Sequence, residues 1–251
     1  MYAVRKKKQY SFCLLILGSI FNLVVLAHYK YGVLGASALL PMGISFFTFK
    51  AISYLADIYK GRIALSGIPV RDALYLSFFP QIQSGPLARY SDYSDMAIGL
   101  SSMFGHACPE NFIYPYTTLS VSKFWRKWHI TLGAWFRDYI YIPLGGSRCT
   151  EKWRVYVNLL VVWFLTGIWH GASWNFIFWG LGYFVFIAFE RMTGMPENLK
   201  SKPLKIIYRI LVLLFINFQW VIFRADGLHK GLSFIKRMFI RGTNSLACCS
   251  A

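Results

Sequence analysis

Metal-ligand spacings, nucleophile elbows and phosphate-cradling glycine loops are all missing from this chain. No His-Glu-x-x-His, Gly-x-Ser-x-Gly or Cys-x-x-Cys occurs, so zinc hydrolysis, α/β-hydrolase chemistry and a zinc site have no basis in the sequence. The five cysteines, Cys13, Cys108, Cys149, Cys248 and Cys249, are odd in number and set no disulfide framework. Cys248-Cys249-Ser250-Ala251 has the outline of a prenylation box but lacks its aliphatic middle residues. Charge is sparse as well, at 15% of residues, and lopsided: 27 Lys and Arg against 10 Asp and Glu, a net of +17. Nucleic acid is still not the implied partner, because the cations lie in separate segments and form no contiguous face.

What the chain has in excess is apolar surface. Hydrophobic residues make up 56% and aromatics 19%, with a mean hydropathy of +0.44. Ser11–Ala27, Leu34–Ala56, Val155–Trp169, Ala172–Phe189 and Leu204–Phe223 approach or reach the roughly 20 apolar residues that cross a bilayer. The pattern predicts an all-α, polytopic integral membrane protein with about five or six transmembrane or re-entrant helices plus interfacial helices. Basic clusters at Arg5–Lys8, Lys123–Lys127, Arg148–Arg154, Lys200–Arg209 and Lys230–Arg241 fall between the runs, as loops facing an anionic cytoplasmic leaflet do. Arg5–Lys8 puts the N-terminus inside. Val25-Leu26-Ala27 mimics a signal-peptide cleavage site, but the apolar runs beyond it favour an uncleaved first helix.

Pro41 and Gly43 interrupt Leu34–Ala56, so its helix breaks or begins near Pro41. Asp72–Pro80 is a short aromatic-rich segment closed by a Pro80…Gly85-Pro86 turn. Tyr90–Leu100 carries a small direct repeat, in which Asp92 and Asp95 read as turn or cap residues. A helix capped by Ser120 or Ser122 is expected to run to about Phe136. Pro143-Leu-Gly-Gly-Ser147 must turn, and Met195–Pro203 is a polar linker. Nothing marks a second domain, so residues 1–251 read as a single membrane-embedded one.

Two histidines sit in aromatic-rich stretches: Ser122-Lys-Phe-Trp-Arg-Lys-Trp-His129 and Thr166-Gly-Ile-Trp-His170-Gly-Ala-Ser-Trp174-Asn175. Imidazole can take and return a proton near neutral pH, and an ionisable group at membrane depth is costly enough to imply function. On a helix, Lys123, Arg126 and Lys127 share one face and Phe124, Trp125, Trp128 and His129 the other, as in an interfacial helix. His129 then faces protein or lipid, either as a catalyst or satisfied by a backbone carbonyl. Thr166, His170 and Trp174 follow at i, i+4 and i+8, with Trp163 a turn back, in a stripe interrupted by Gly167 and Gly171. Those glycines admit another backbone or a slim acyl chain. The Thr166 hydroxyl orients the imidazole or bonds its own helix. Spacing alone leaves His170 open between a catalyst and a buried neutral histidine.

Further stretches carry a resemblance. They are Leu40-Pro-Met-Gly-Ile-Ser-Phe-Phe-Thr-Phe49, Leu76-Ser-Phe-Phe-Pro-Gln81, Ser84-Gly-Pro-Leu-Ala-Arg-Tyr90 and Pro109-Glu-Asn-Phe112. Phe124-Trp-Arg-Lys-Trp-His129, Trp135-Phe-Arg-Asp-Tyr139, Ile142-Pro-Leu-Gly-Gly146, Thr166-Gly-Ile-Trp-His-Gly171 and Phe223-Arg-Ala225 follow in order. Together they resemble the membrane-bound O-acyltransferase family, in its bacterial alginate O-acetyltransferase-like branch. The resemblance implies His170 as the catalytic histidine and His129 as a second active-site histidine. Members of that family are longer, and they separate two motifs that are fused here as Arg89-Tyr-Ser-Asp-Tyr-Ser-Asp-Met96. The shared Tyr-Ser-Asp points to an in-frame internal deletion near residues 93–94. The chain also stops soon after Phe223-Arg-Ala225.

The function expected from this is transfer of an acyl group, usually acetyl, from a thioester to a hydroxyl of a cell-envelope polysaccharide or its carrier protein. The alternative is a catalytically inactive membrane remnant or binding platform of the same family. The donor, acetyl-CoA or an acyl carrier, is a substrate and no bound cofactor or metal is expected. Trp169, Trp174, Asn175, Trp125 and Arg126 are the candidate substrate-binding residues, with Asn175, Trp169 and His129 as candidate oxyanion donors. Expected partners are the lipid bilayer, an extracytoplasmic polysaccharide, an SGNH-type acetyltransferase and an acyl-carrier protein. The location is the bacterial cytoplasmic membrane, crossed several times.

Overall fold

The computed structural model describes residues 2–32, 43–63 and 110–239. The break near Pro41, the Asp72–Pro80 segment, the Tyr90–Leu100 repeat with Asp92 and Asp95, and the fused motif lie outside the described residues. Regular structure within them is helical: α1 Tyr2–Tyr31, α2 Ile44–Tyr59, α3 Val121–Lys127, α4 Ile130–Phe136, α5 Lys152–His170, α6 Trp174–Thr193, α7 Lys202–Arg224 and α8 Leu228–Phe239. A 3-10 turn spans Pro115–Thr117, and a π turn, Arg137–Tyr141, extends α4.

Three helices are long and apolar enough to cross a bilayer: Ser11–Tyr31 of α1, α6 and α7. Their exposed residues make the same point. Leu14, Leu17 and Phe21 are each more than 60% exposed, and hydrocarbon is the solvent that makes such exposure cheap. Two expected spans come out differently. α2 starts at Ile44, after Gly43 in the left-handed region at φ 76°, and is only 16 residues long. α5 is a 19-residue helix, but Tyr156, Asn158, Thr166 and His170 dilute its apolar character and it is not one of the three.

The chain divides into two compact units: Met1–Pro115 with Lys123–Asn158, and Tyr116–Ser122 with Leu159–Ala251. In the first, α1 packs on α2, and Gly18 makes room for Leu55, whose Cδ1 lies 2.7 Å from where a Cβ would stand. Phe49 of α2 meets the Trp135 ring at 4.3 Å, and the Trp135 indole N–H donates to the Phe49 carbonyl at 3.3 Å. Tyr139 in the π turn donates to Asp57 of α2 at 2.6 Å. The Pro143–Ser147 segment turns as its glycines require, Gly145 and Gly146 having φ of 103° and 57°. The Asn158 amide donates to the carbonyls of Leu144 and Gly146, both at 3.2 Å, and pins that turn.

The second unit is built from the later part of α5 with α6, α7 and α8. Two glycines set the spacing of α5 and α6. A Cβ on Gly180 would stand 2.4 Å from the Trp163 carbonyl oxygen, and one on Gly167 would stand 2.6 Å from the Phe176 carbonyl oxygen. The approach is therefore backbone to backbone, the small-residue device of membrane helix pairs. Trp179, Tyr183, Val212 and Ile216 are at most 1% exposed and form the unit's centre. α8 is strongly amphipathic, with Leu232, Phe234 and Met238 exposed beside Lys230, Lys236 and Arg237, the composition of a helix lying in the membrane interface.

Candidate functional site

His129 belongs to the first unit and His170 to the second. The continuous helix expected from Ser120 or Ser122 to Phe136 is two short ones, because the backbone at Trp128–His129 leaves the helical path. Bonds that would continue the helix go to residues 111–113 instead. The Ile113 N–H donates to the Lys127 carbonyl and the Ile130 N–H to the Asn111 carbonyl, each at 3.0 Å. His129 is left in the left-handed region at φ 48°, ψ 54°, a conformation that non-glycine residues hold only where neighbours impose it.

Asn111 is the neighbour that imposes it. The residue is 1% exposed, and its Oδ1 accepts the Thr131 N–H at 3.0 Å and the Thr131 hydroxyl at 3.1 Å. Its Nδ2 then lies 3.3 Å from His129 Nδ1. Phe112 stands 6.0 Å from the imidazole. Burial lowers the His129 pKa to about 4, so the ring is neutral at physiological pH. Satisfaction of His129 by a backbone carbonyl, the bland alternative from the sequence, is replaced by a side-chain amide. Trp125 is half-buried and edge-on to Phe124 at 5.6 Å, and Arg126 is exposed, as the helical face assignment expected.

The first turn of α3 is also held by an acid from farther along the chain. Glu190, buried near the end of α6, accepts the first-turn N–H groups of Val121 (2.7 Å) and Ser122 (2.9 Å). It also accepts the hydroxyls of Ser122 (2.6 Å) and Tyr208 (3.0 Å). A carboxylate suits the positive end of a helix better than a hydroxyl does. The signal available in the sequence was an acid directly following the Ala172–Phe189 run, and an acid at the end of a membrane helix calls for partners.

His170 is the last residue of α5, half-buried among rings. Trp169 lies at 4.5 Å, Phe223 at 4.8 Å and Trp179 at 5.0 Å, all edge-on or nearly so, with Phe176 at 6.2 Å and closer to parallel. The expected stripe from Trp163 to Trp174 ends here. Residues 171–173 break the helix, and Trp174 starts α6 with 67% of its surface exposed, beside Phe178. Thr166 does not orient the imidazole; its hydroxyl donates to the Val162 carbonyl at 2.7 Å. The space beside Gly171 is filled by the Phe176 ring and the space beside Gly167 by the backbone of α6, so neither glycine holds room for an acyl chain.

Asn175 is 2% exposed, but its amide donors are committed to the carbonyls of Ile222 (3.3 Å), Phe223 (3.4 Å) and Ala225 (3.0 Å). It caps the end of α7 and has no donor left for an oxyanion. A cleft of about 390 Å³ opens here, lined by Ser173, Asn175, Phe176, Phe223, Arg224 and Asp226 among others. Two of its walls, Phe176 and Phe223, also contact the His170 ring. The imidazole therefore sits one aromatic layer from open space.

This helical membrane chain, with a histidine ending an aromatic-walled helix, belongs to the membrane-bound O-acyltransferase family, whose model matches residues 90–233. It is 30% identical over 322 residues to a probable alginate O-acetylase of Pseudomonas aeruginosa, covering 93% of this chain and 61% of that protein. A peptidoglycan O-acetyltransferase of Helicobacter pylori is 28% identical, with 91% of this chain and 61% of that protein covered. A teichoic acid D-alanyltransferase of Bacillus subtilis is 29% identical over 56% of this chain and 38% of its own length. The chain thus spans about three-fifths of the first two relatives' length. The 322-residue aligned span exceeds the 251 residues of the chain, so the Pseudomonas protein holds residues inside the span that have no counterpart here.

Proposed function

We propose that this protein is a multi-pass O-acyltransferase of the bacterial cytoplasmic membrane. It moves an acyl group, acetyl in the simplest case, from a thioester to a hydroxyl of a cell-envelope polysaccharide or its carrier protein. His170 is the general base. It takes the proton of the acceptor hydroxyl as that oxygen attacks the thioester carbonyl; collapse of the tetrahedral adduct breaks the C–S bond, and the imidazolium returns the proton to the departing thiolate. What supports this most is the seating of His170 at the end of α5, with Phe176 and Phe223 between it and the cleft. Trp169, in contact with the ring, is the remaining candidate donor in that unit, since the Asn175 amide is spent. Acetyl-CoA or an acyl-carrier protein is the donor, and an SGNH-type acetyltransferase is a partner that would hand the group onward.

The test is acyl transfer from a labelled thioester to polysaccharide by the chain in bilayer discs, against His170→Ala at matched folding. Loss of transfer in the variant supports the role, and equal transfer ends it. A second reading, an inactive remnant or binding platform, draws on the relative's extra residues inside the aligned span. A cooperative melt with no thioester-dependent transfer by the unaltered chain would favour it.

A further inference from the structure

The Asn111 amide can be oriented without ambiguity. A backbone N–H only donates, so the atom that receives the Thr131 N–H must be the carbonyl oxygen, and the nitrogen must face His129. An amide nitrogen has hydrogens and no acceptor lone pair. Nδ1 of His129 must then be the unprotonated nitrogen, which puts the ring's one hydrogen on Nε2. No hydrogen bond reaches Nε2 among the described residues.

We propose that Asn111 is a positioning residue that fixes the tautomer of His129, so that the imidazole presents an Nε2–H donor, and not a basic nitrogen, to a substrate oxygen. That oxygen is an acyl carbonyl if the acyl-transfer reading holds, and the proposal rests on that reading for the identity of the ligand alone. The backbone agrees with the side chain. His129 is held in a left-handed conformation by bonds from both ends of the 111–113 segment, which fixes the imidazole's attachment point as well as its tautomer. A ring kept neutral by burial can donate without carrying charge into an apolar site. The sequence holds no hint of the pairing, because Asn111 lies 18 residues before His129 in a loop with no periodicity.

The experiment is nitrogen NMR of the unliganded chain in detergent or bilayer discs, with labelled histidine and His129→Gln to assign the signal. At neutral pH the unaltered protein should show a pyridine-like Nδ1 and a pyrrole-like Nε2 at His129. Asn111→Asp keeps an acceptor for Thr131 but sets an acceptor opposite the ring, so the two nitrogens should exchange character. A pyrrole-like Nδ1 in the unaltered protein overturns the proposal even if Asn111→Asp fails to fold, and so does an Asn111→Asp variant with an unchanged spectrum. The spectrum needs no turnover, so absence of acyl transfer would count against the enzymatic reading while leaving the tautomer decided on its own.

Discussion

The surroundings of the two histidines differ in kind. His129 is held by directional polar contacts, the Asn111 amide on its ring and bonds from residues 111 and 113 on its backbone. His170 is surrounded by Trp169, Phe176, Trp179 and Phe223. A hydrogen-bond clamp selects one protonation pattern and holds it. The aromatic rings fix where the His170 imidazole sits, the place where the proposed base has to gain and lose a proton. The roles proposed for them follow that difference: a fixed donor at His129, an exchanging base at His170.

The largest effect that could break this division is at His170. His170→Ala should lower transfer by about 10²–10⁴-fold, read as kcat/KM at an unchanged melting temperature. A comparable loss in His129→Gln, whose amide can still donate, would erase the distinction. Next in size is the acid response of the clamp. The His129 pKa is about 4 in the folded chain against 6.5 for a free imidazole, so between those values the unfolded state binds more protons. The stabilisation is complete above pH 6.5 and is lost as pH falls toward 4, amounting to at most about 3 kcal/mol. The melting temperature of the unaltered chain should fall over that window relative to its pH 7 value, and His129→Gln should flatten the fall.

Much of the membrane architecture was legible in the sequence, because run length and hydropathy depend on local composition alone. The Ser11–Ala27, Ala172–Phe189 and Leu204–Phe223 runs became α1, α6 and α7. The aromatic surroundings of the two histidines were legible too, since both lie in aromatic-rich stretches. What was hidden is long-range. Glu190 caps a helix that starts 69 residues earlier, and Asn175 spends its donors on carbonyls 47 to 50 residues away. The helical stripe through Thr166, His170 and Trp174 misled because periodicity assumes the helix continues, and it ends at His170.

Two glycines test whether the walls around His170 depend on helix spacing. Gly180→Ala puts a methyl 2.4 Å from the Trp163 carbonyl oxygen, and a backbone atom cannot swing aside. A destabilisation of about 1–3 kcal/mol is expected, measured by thermal melting in detergent. Gly133→Ala is the control: among the described residues its Cβ would meet nothing nearer than 3.9 Å, so its melt should move far less.

The smallest effect sharpens the other side of the comparison. Thr131→Val keeps the backbone N–H that orients Asn111 but removes the hydroxyl that bonds the same oxygen at 3.1 Å. Because the oxygen keeps its 3.0 Å backbone donor, the loss should be about 0.5–1.5 kcal/mol, the net worth of one buried hydrogen bond. The His129 ring spectrum should not change, since the amide's orientation is set by the N–H alone. A spectrum that shifted in Thr131→Val would mean that the hydroxyl, and not the backbone, decides which way the Asn111 amide faces.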